Sequence, residues 1–169
     1  MTSLRVAILT VSDRSFRGER PDSSGPLLEK FLTEQGWKVV ATAIVPDEEE
    51  MIRQQLLQWC EEDITDLILT TGGTGVSPRD ITPEATQSII ERPLPGIPEA
   101  MRAASLKITP HAMLSRATAG LRKRTLIINL PGSPKGAIEN LQIILPALPH
   151  AVALLRESPE AEKGHHLQT

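Results

Sequence analysis

Apolar residues in this chain alternate between short continuous runs and stripes at helical spacing. Residues 4–12 (LRVAILTVS) form a short run of Val, Ile, Leu and Thr, the pattern of a strand buried on both faces. A polar loop over 13–24 follows, and Gly25–Pro26 opens a helix with Leu27, Leu28, Phe31 and Leu32 on one face. Gly36 ends that helix, Lys38–Val45 predicts a second strand, and Pro46 stops it. Met51, Ile52, Leu56, Trp59 and Cys60 predict a helix facing the sheet, with Asp47 as its cap and Glu48, Glu49 and Glu50 at its positive end. Leu67–Thr71 reads as a third strand, 72–80 as a glycine-bearing loop, and Thr82–Pro83 as a capped helix start. Pro93, Pro95 and Pro98 break the chain, and a helix is expected over 97–106. Residues 115–119 and Thr125–Leu130 predict a strand pair around a turn at 120–124. Ala137, Ile138, Leu141, Ile144, Leu145 and Leu148 make the last helical stripe, which Pro146 should kink or split.

This alternation predicts an α/β fold with a mostly parallel sheet covered on both faces. Ligands in such sheets sit beyond the carboxyl ends of the strands, which directs attention to four loops: 12–24, 46–47, 72–80 and 131–133. With 169 residues, one domain over 1–157 and a flexible polar tail over 158–169 are expected.

Composition narrows the function. A net charge of −3 argues against broad nucleic-acid binding, and 2% aromatics with no Tyr argues against stacking on single strands. One cysteine, Cys60, fits a reducing cytoplasm, and no leader or spanning run of roughly 18 apolar residues is expected. His111, His150 and the His165–His166 pair share no metal-ligand spacing, and Cys60 on an apolar face reads as core.

The loops carry the candidate chemistry. Gly72, Gly73, Thr74 and Gly75 directly follow a strand, where backbone N–H groups can cradle an anion; a plain glycine turn is the alternative. Asp80 beside that loop can hold Mg²⁺ against a phosphate or simply assist the helix start at Thr82. Asp47 can cap a helix, but it also ends a second strand, so both carboxylates can border one crevice around a metal ion. Pro131, Gly132 and Ser133 precede a helix whose first N–H groups suit another anion. Asp22 and Ser24 at the first helix can cap or bind. No Ser-His-Asp arrangement is legible, and phosphate-on-phosphate chemistry needs none, because the substrate brings its own nucleophile.

Taken in order, Val11-Ser12-Asp13, Asp22-x-Ser24-Gly25-Pro26, Val45-Pro46-Asp47-Glu48, Thr71-Gly72-Gly73-Thr74-Gly75, Pro78-Arg79-Asp80-Ile81-Thr82-Pro83-Glu84-Ala85, Leu114-Ser115-Arg116 and Leu130-Pro131-Gly132-Ser133 resemble the molybdopterin adenylyltransferases. These comprise MogA/MoaB-type proteins, the plant adenylyltransferase domain and the G domain of gephyrin, and the resemblance runs over about 4–155. It implies a three-layer α/β/α sandwich, a homotrimer, and Mg²⁺-dependent transfer of AMP from ATP to the terminal phosphate of molybdopterin, for a separate molybdate-insertion enzyme. By motif, Asp47 and Asp80 resemble catalytic, Mg²⁺-associated carboxylates. Gly72, Gly73, Thr74, Gly75, Pro131, Gly132 and Ser133 would border the nucleotide, and Ser12, Asp22, Ser105 and Ser115 the molybdopterin side. Arg79, Arg116 and Lys135 are candidate anion partners. A carrier that binds molybdopterin without turnover is the alternative; retention of both aspartates speaks against it.

Overall fold

The computed structural model describes residues 3–159 and 161. Six strands form one sheet in the order β2-β1-β3-β6-β5-β4: β1 Arg5–Val11, β2 Lys38–Val45, β3 Leu67–Thr71, β4 Arg92–Pro93, β5 Ala119–Arg122 and β6 Thr125–Leu130. The pairs β1–β2, β1–β3 and β3–β6 are parallel, and β5 and β4 continue the sheet antiparallel. The helices are α1 Asp13–Phe16, α2 Ser24–Glu34, α3 Glu49–Glu61, α4 Thr82–Gln87, α5 Gly96–Leu106, α6 Pro134–Ile144 and α7 Leu148–Leu155. Helices cover both faces of the sheet, as the alternation of elements requires.

Strand side chains alternate between the two faces, so the core has two halves. Val6, Ile8, Leu67, Leu69, Leu126, Ile128 and Leu130 pack with Leu28, Leu32, Met101, Leu141 and Leu148. Ala7, Leu9, Val11, Ile68 and Ile127 pack with Ile52, Leu56, Trp59 and Cys60. Burial pushes the Cys60 thiol up to about 11, which suits a core thiol.

Several local expectations change. The loop over 13–24 begins with α1, capped by the Ser12 hydroxyl accepting from the Ser15 N–H at 3.2 Å. The hairpin turn is confined to Lys123 and Arg124, because 119–122 already pair with β6. Met51 is exposed, not turned to the sheet. Pro146 does split the last stripe, into α6, a 3-10 turn Leu145–Ala147 and α7. Within that segment, Pro134–Leu155, an 18-residue stretch has a mean hydropathy of 1.4, long and apolar enough by length and composition alone to cross a membrane, contrary to the expectation of no such run. Its inner face explains the apolarity: Ala137, Leu141, Ile144, Leu148 and Val152 belong to the core. The tail expected over 158–169 lies mostly outside the described residues.

Candidate active site

The strand order reverses at β1: one neighbour is β2, the other β3, so the chain leaves the ends of these strands in opposite directions. That reversal opens a crevice at their carboxyl ends. A cavity of about 850 Å³ lies there, and Asp47, Gly72, Gly73, Asp80, Gly132 and Ser133 all line it, with Ser12 and Asp22 at the β1 side. The two aspartates expected from separate strands therefore do meet in one crevice.

Asp47 does not cap a helix. α3 starts after Glu48 and has no side-chain cap, while the Asp47 carboxylate turns back to β1. Its Oδ2 accepts from the Asp13 N–H at 2.9 Å, and the Asp47 N–H donates to Asp13 Oδ1 at 3.0 Å. Arg79 grips the same Asp13 carboxylate with Nε and Nη2, each at 2.8 Å. The result is a chain from Arg79 through Asp13 to Asp47. Burial raises the proton affinity of Asp47, and the neighbouring charges of Asp13 and Asp80 raise it further. The Arg79 guanidinium holds Asp13 below the usual carboxylate range. Asp13 is the residue that sequence reasoning missed; its signal was its place directly after β1, in the motif Val11-Ser12-Asp13.

The glycine loop is shaped by what surrounds it. Gly72 has φ +106° and Gly73 φ +67°, both in the region that L side chains rarely adopt. A Cβ on Gly72 would collide with the Val11 carbonyl oxygen, and one on Gly73 with the Thr82 hydroxyl. Thr82 is not the helix cap either. It is the first residue of α4, and it fastens the loop base: Oγ1 donates to Gly72 O at 2.9 Å and N–H to Gly73 O at 3.1 Å. Asp80, at the far end of the loop, accepts through Oδ2 from the Ser77 N–H at 3.0 Å. Arg116 crosses above, donating to Gly75 O at 2.6 Å and Asp80 O at 2.7 Å and pairing with Glu84. Arg116 is thus a brace of the loop, not a spare anion partner, and Arg79 is likewise committed to Asp13.

Beneath the loop, buried Asn129 ties three elements together. Its Nδ2 donates to Thr70 Oγ1 and Thr86 Oγ1 at 2.9 Å each, and Oδ1 accepts from the Thr118 N–H at 3.2 Å. This pins α4 to β3 and β6.

The remaining candidates divide. Asp22 is engaged in structure: Oδ1 accepts from the N–H groups of Ser24 and Gly25 at 3.1 Å each, and Oδ2 from the Thr10 hydroxyl at 2.7 Å. Ser133 caps α6, accepting from the Gly136 N–H at 3.1 Å. Thr74, Gly75, Ser105, Ser115 and Pro131 line a second cavity of about 450 Å³, along with Lys135. Ser133 borders both cavities. Thr74, Gly75 and Pro131, expected beside the nucleotide, therefore share a wall with the serines expected beside the pterin. Conversely, Ser12 and Asp22, expected beside the pterin, lie with the aspartates.

No group of three or more His, Cys, Asp or Glu side chains that could hold a metal occurs among the described residues. Two carboxylates are nonetheless a fitting donor set for Mg²⁺, which keeps several waters and completes its shell with substrate phosphates. The raised proton affinity of Asp47 fits this too, since a half-buried carboxylate near two others is relieved by a cation.

Residues 7–150 match the domain family described as a probable molybdopterin binding domain. The chain is 43% identical over 157 residues to the molybdopterin adenylyltransferase of Helicobacter pylori, covering 92% of this chain and 89% of that protein. It is 46% identical over 166 residues to Dictyostelium discoideum gephyrin, but spans only 23% of that protein's length. Its fold superimposes on the crystal structure of the molybdopterin biosynthesis enzyme MoaB from Thermus thermophilus with a TM-score of 0.87, at 52% identity over 92% of this chain and 98% of that one. With a site of this geometry and relatives of this extent, the chain belongs to the MogA/MoaB-type molybdopterin adenylyltransferase family of molybdenum cofactor biosynthesis.

Proposed function

We propose that the protein transfers AMP from ATP to the terminal phosphate of molybdopterin, releasing pyrophosphate. The observation that carries this reading is the meeting of Asp47, Asp80 and the glycine loop in one crevice, joined through Ser133 to the second cavity. An acceptor-phosphate oxygen attacks the α-phosphorus of ATP. The new P–O bond forms as the bond from the α-phosphorus to the α,β-bridging oxygen breaks, and that electron pair leaves with pyrophosphate. No protein nucleophile is needed; the chain positions two anions and offsets their charge.

In this reading Asp47 and Asp80 would hold Mg²⁺, which when bound would supply charge neutralisation for the phosphates. The Arg79–Asp13 pair fixes the Asp47 carboxylate. Gly72 and Gly73 let backbone approach the nucleotide where any side chain would stand in the way. Ser105, Ser115 and Lys135 in the second cavity receive the acceptor, with hydroxyl donors and a cation suited to its phosphate.

Three copies assemble, on this proposal, through apolar side chains left exposed around the 3-10 helix Pro110–Leu114, notably Ile108 and Met113 at 69% and 64% exposure. The product then passes to a molybdate-insertion enzyme in the cytoplasm. Incubation with molybdopterin, ATP and Mg²⁺ should give a pterin heavier by one adenylyl group, seen by mass spectrometry, with one pyrophosphate per product. Binding of molybdopterin without that product would replace the transferase by a carrier.

A further inference from the structure

Many arginine side chains in this protein are committed to other groups. Arg5 and Arg156 are held by Asp66, Arg17 by Glu19, Arg53 by Glu50, Arg79 by Asp13, Arg116 by Glu84 and Arg122 by Glu61. Arg14 and Arg20 differ. Both are exposed, neither side chain donates a hydrogen bond or closes an ion pair among the described residues, and both line the cavity that holds Asp47 and Asp80. Their placement is built into the backbone. Ser12 caps α1, Gly18 turns the chain at φ +73°, and the Glu19 N–H donates to Arg14 O at 2.9 Å, bringing both ends of the turn to one rim.

The cavity's charge balance gives these two residues a task. Asp13 is neutralised by Arg79, and Asp22 is satisfied by two backbone N–H groups and a hydroxyl. Asp47 and Asp80 have no such side-chain partner, and a Mg²⁺ held by them would offset only part of an incoming polyphosphate's charge. Lys135 lies along the other cavity. Arg14 and Arg20 are the cations on this wall, and a guanidinium suits phosphate oxygens through its paired N–H donors.

We propose that Arg14 and Arg20 bind the β- and γ-phosphates of the nucleotide and hold the pyrophosphate as it leaves. This rests on the adenylyl-transfer reading, and it gives a role to residues 14–21, in α1 and the turn after it, to which no motif assigned one. Negative charge grows on the leaving pyrophosphate as its bond to the α-phosphorus breaks, so these guanidiniums act where charge develops.

The test is calorimetric titration of the full-length protein, with Mg²⁺, by inorganic pyrophosphate and separately by ATP. Arg14→Gln and Arg20→Gln should each weaken pyrophosphate binding about tenfold, as expected for loss of a charged hydrogen-bonding group. The double variant should bind still more weakly and show a shallower salt dependence. Arg14→Lys should fall between, since it keeps charge without the fork. Arg92→Gln, at an exposed arginine away from both cavities, should bind like the wild type. Because the exposed Arg14 and Arg20 side chains make no hydrogen bond or ion pair among the described residues, circular dichroism of the variants should match wild type. Wild-type affinity for pyrophosphate in the double variant, beside a wild type that still makes adenylylated pterin, would overturn this assignment and leave the transferase standing. A wild type that binds neither ATP nor pyrophosphate would remove the transferase reading and this one together.

Discussion

The two ends of the parallel strands use carboxylates in opposite ways. At the amino ends Asp66, 6% exposed, is saturated: Oδ2 accepts from the Arg5 N–H at 2.8 Å, and Oδ1 accepts from Arg5 Nη2 at 2.9 Å and faces Arg156 Nε at 2.5 Å. This joins β1, the start of β3 and the end of α7. At the carboxyl ends Asp47 and Asp80 line an open cavity with no arginine paired to either carboxylate. Asp47 is held by backbone, and a neighbouring carboxylate, Asp13, takes the arginine in its place. Charge at one end is cancelled by arginines; at the other it is held in position by backbone and left without one.

The sharpest way to break this contrast is to neutralise one carboxylate at each end. Asp80→Asn should lower turnover by at least about a hundredfold, roughly 3 kcal/mol of barrier, with a melting temperature near wild type. Asp47→Asn should do the same. Steady-state production of adenylylated pterin, beside thermal melts, decides the matter; an active Asp80→Asn would remove that residue from the chemistry. Asp66→Ala should behave in reverse. It leaves two arginines without their shared partner, at a cost of about 3 kcal/mol in urea denaturation, while the folded fraction turns over normally. If Asp66→Ala lost activity without losing stability, the division between the two ends would fail.

Asn129→Leu probes the layer between them. It abandons the hydroxyls of Thr70 and Thr86 and the Thr118 N–H, so it should cost about 2 kcal/mol. It should also loosen α4 beneath the Asp80 loop, so that amides in Thr82–Gln87 exchange hydrogen faster than those of β1. Uniform exchange across both would mean that Asn129 supports the core alone.

Much of this organisation was legible in the chain. Strand runs, the glycine loop after β3 and the paired aspartates at two strand ends follow from periodicity and from the rule that places ligands at strand carboxyl ends. What was not legible depends on long-range contacts. Asp47 and Thr82 both sit where a helix cap is common, and local preference favours that role. Tertiary partners override it, because Asp13 offers Asp47 a backbone N–H across the sheet and the strained glycines offer Thr82 two carbonyls. Arg116 and Arg79 looked like anion partners because a sequence shows charge but not whether another group has claimed it. Asp13 was passed over for the related reason that its value lies in contacts with residues far along the chain.

The smallest effect tests the link through Asp13. Arg79 opposes the upward shift of Asp47 and causes the downward shift of Asp13. Arg79→Gln should therefore raise the proton affinity of both carboxyls. For folding, the signs are opposite. Asp13, held below its ordinary value of 3.8, adds stability above that pH and loses it as pH falls through the lower folded value. Asp47, held above 3.8, adds stability only below that pH and loses it as pH rises through the higher folded value. Arg79→Gln removes the Asp13 contribution and enlarges the Asp47 penalty, so the variant should lose stability at neutral pH relative to pH 3. The loss should be small, because the Arg79 side chain is 59% exposed. Carboxyl-carbon NMR titration of the metal-free protein reads the link directly: the Asp47 midpoint should move upward in Arg79→Gln. Asp13→Asn should move it the other way, since the variant removes a like charge and keeps the N–H that Asp47 accepts. An Asp47 midpoint indifferent to both substitutions would mean that Arg79 and Asp13 do not reach the Asp47 carboxylate electrostatically, whatever their hydrogen bonds.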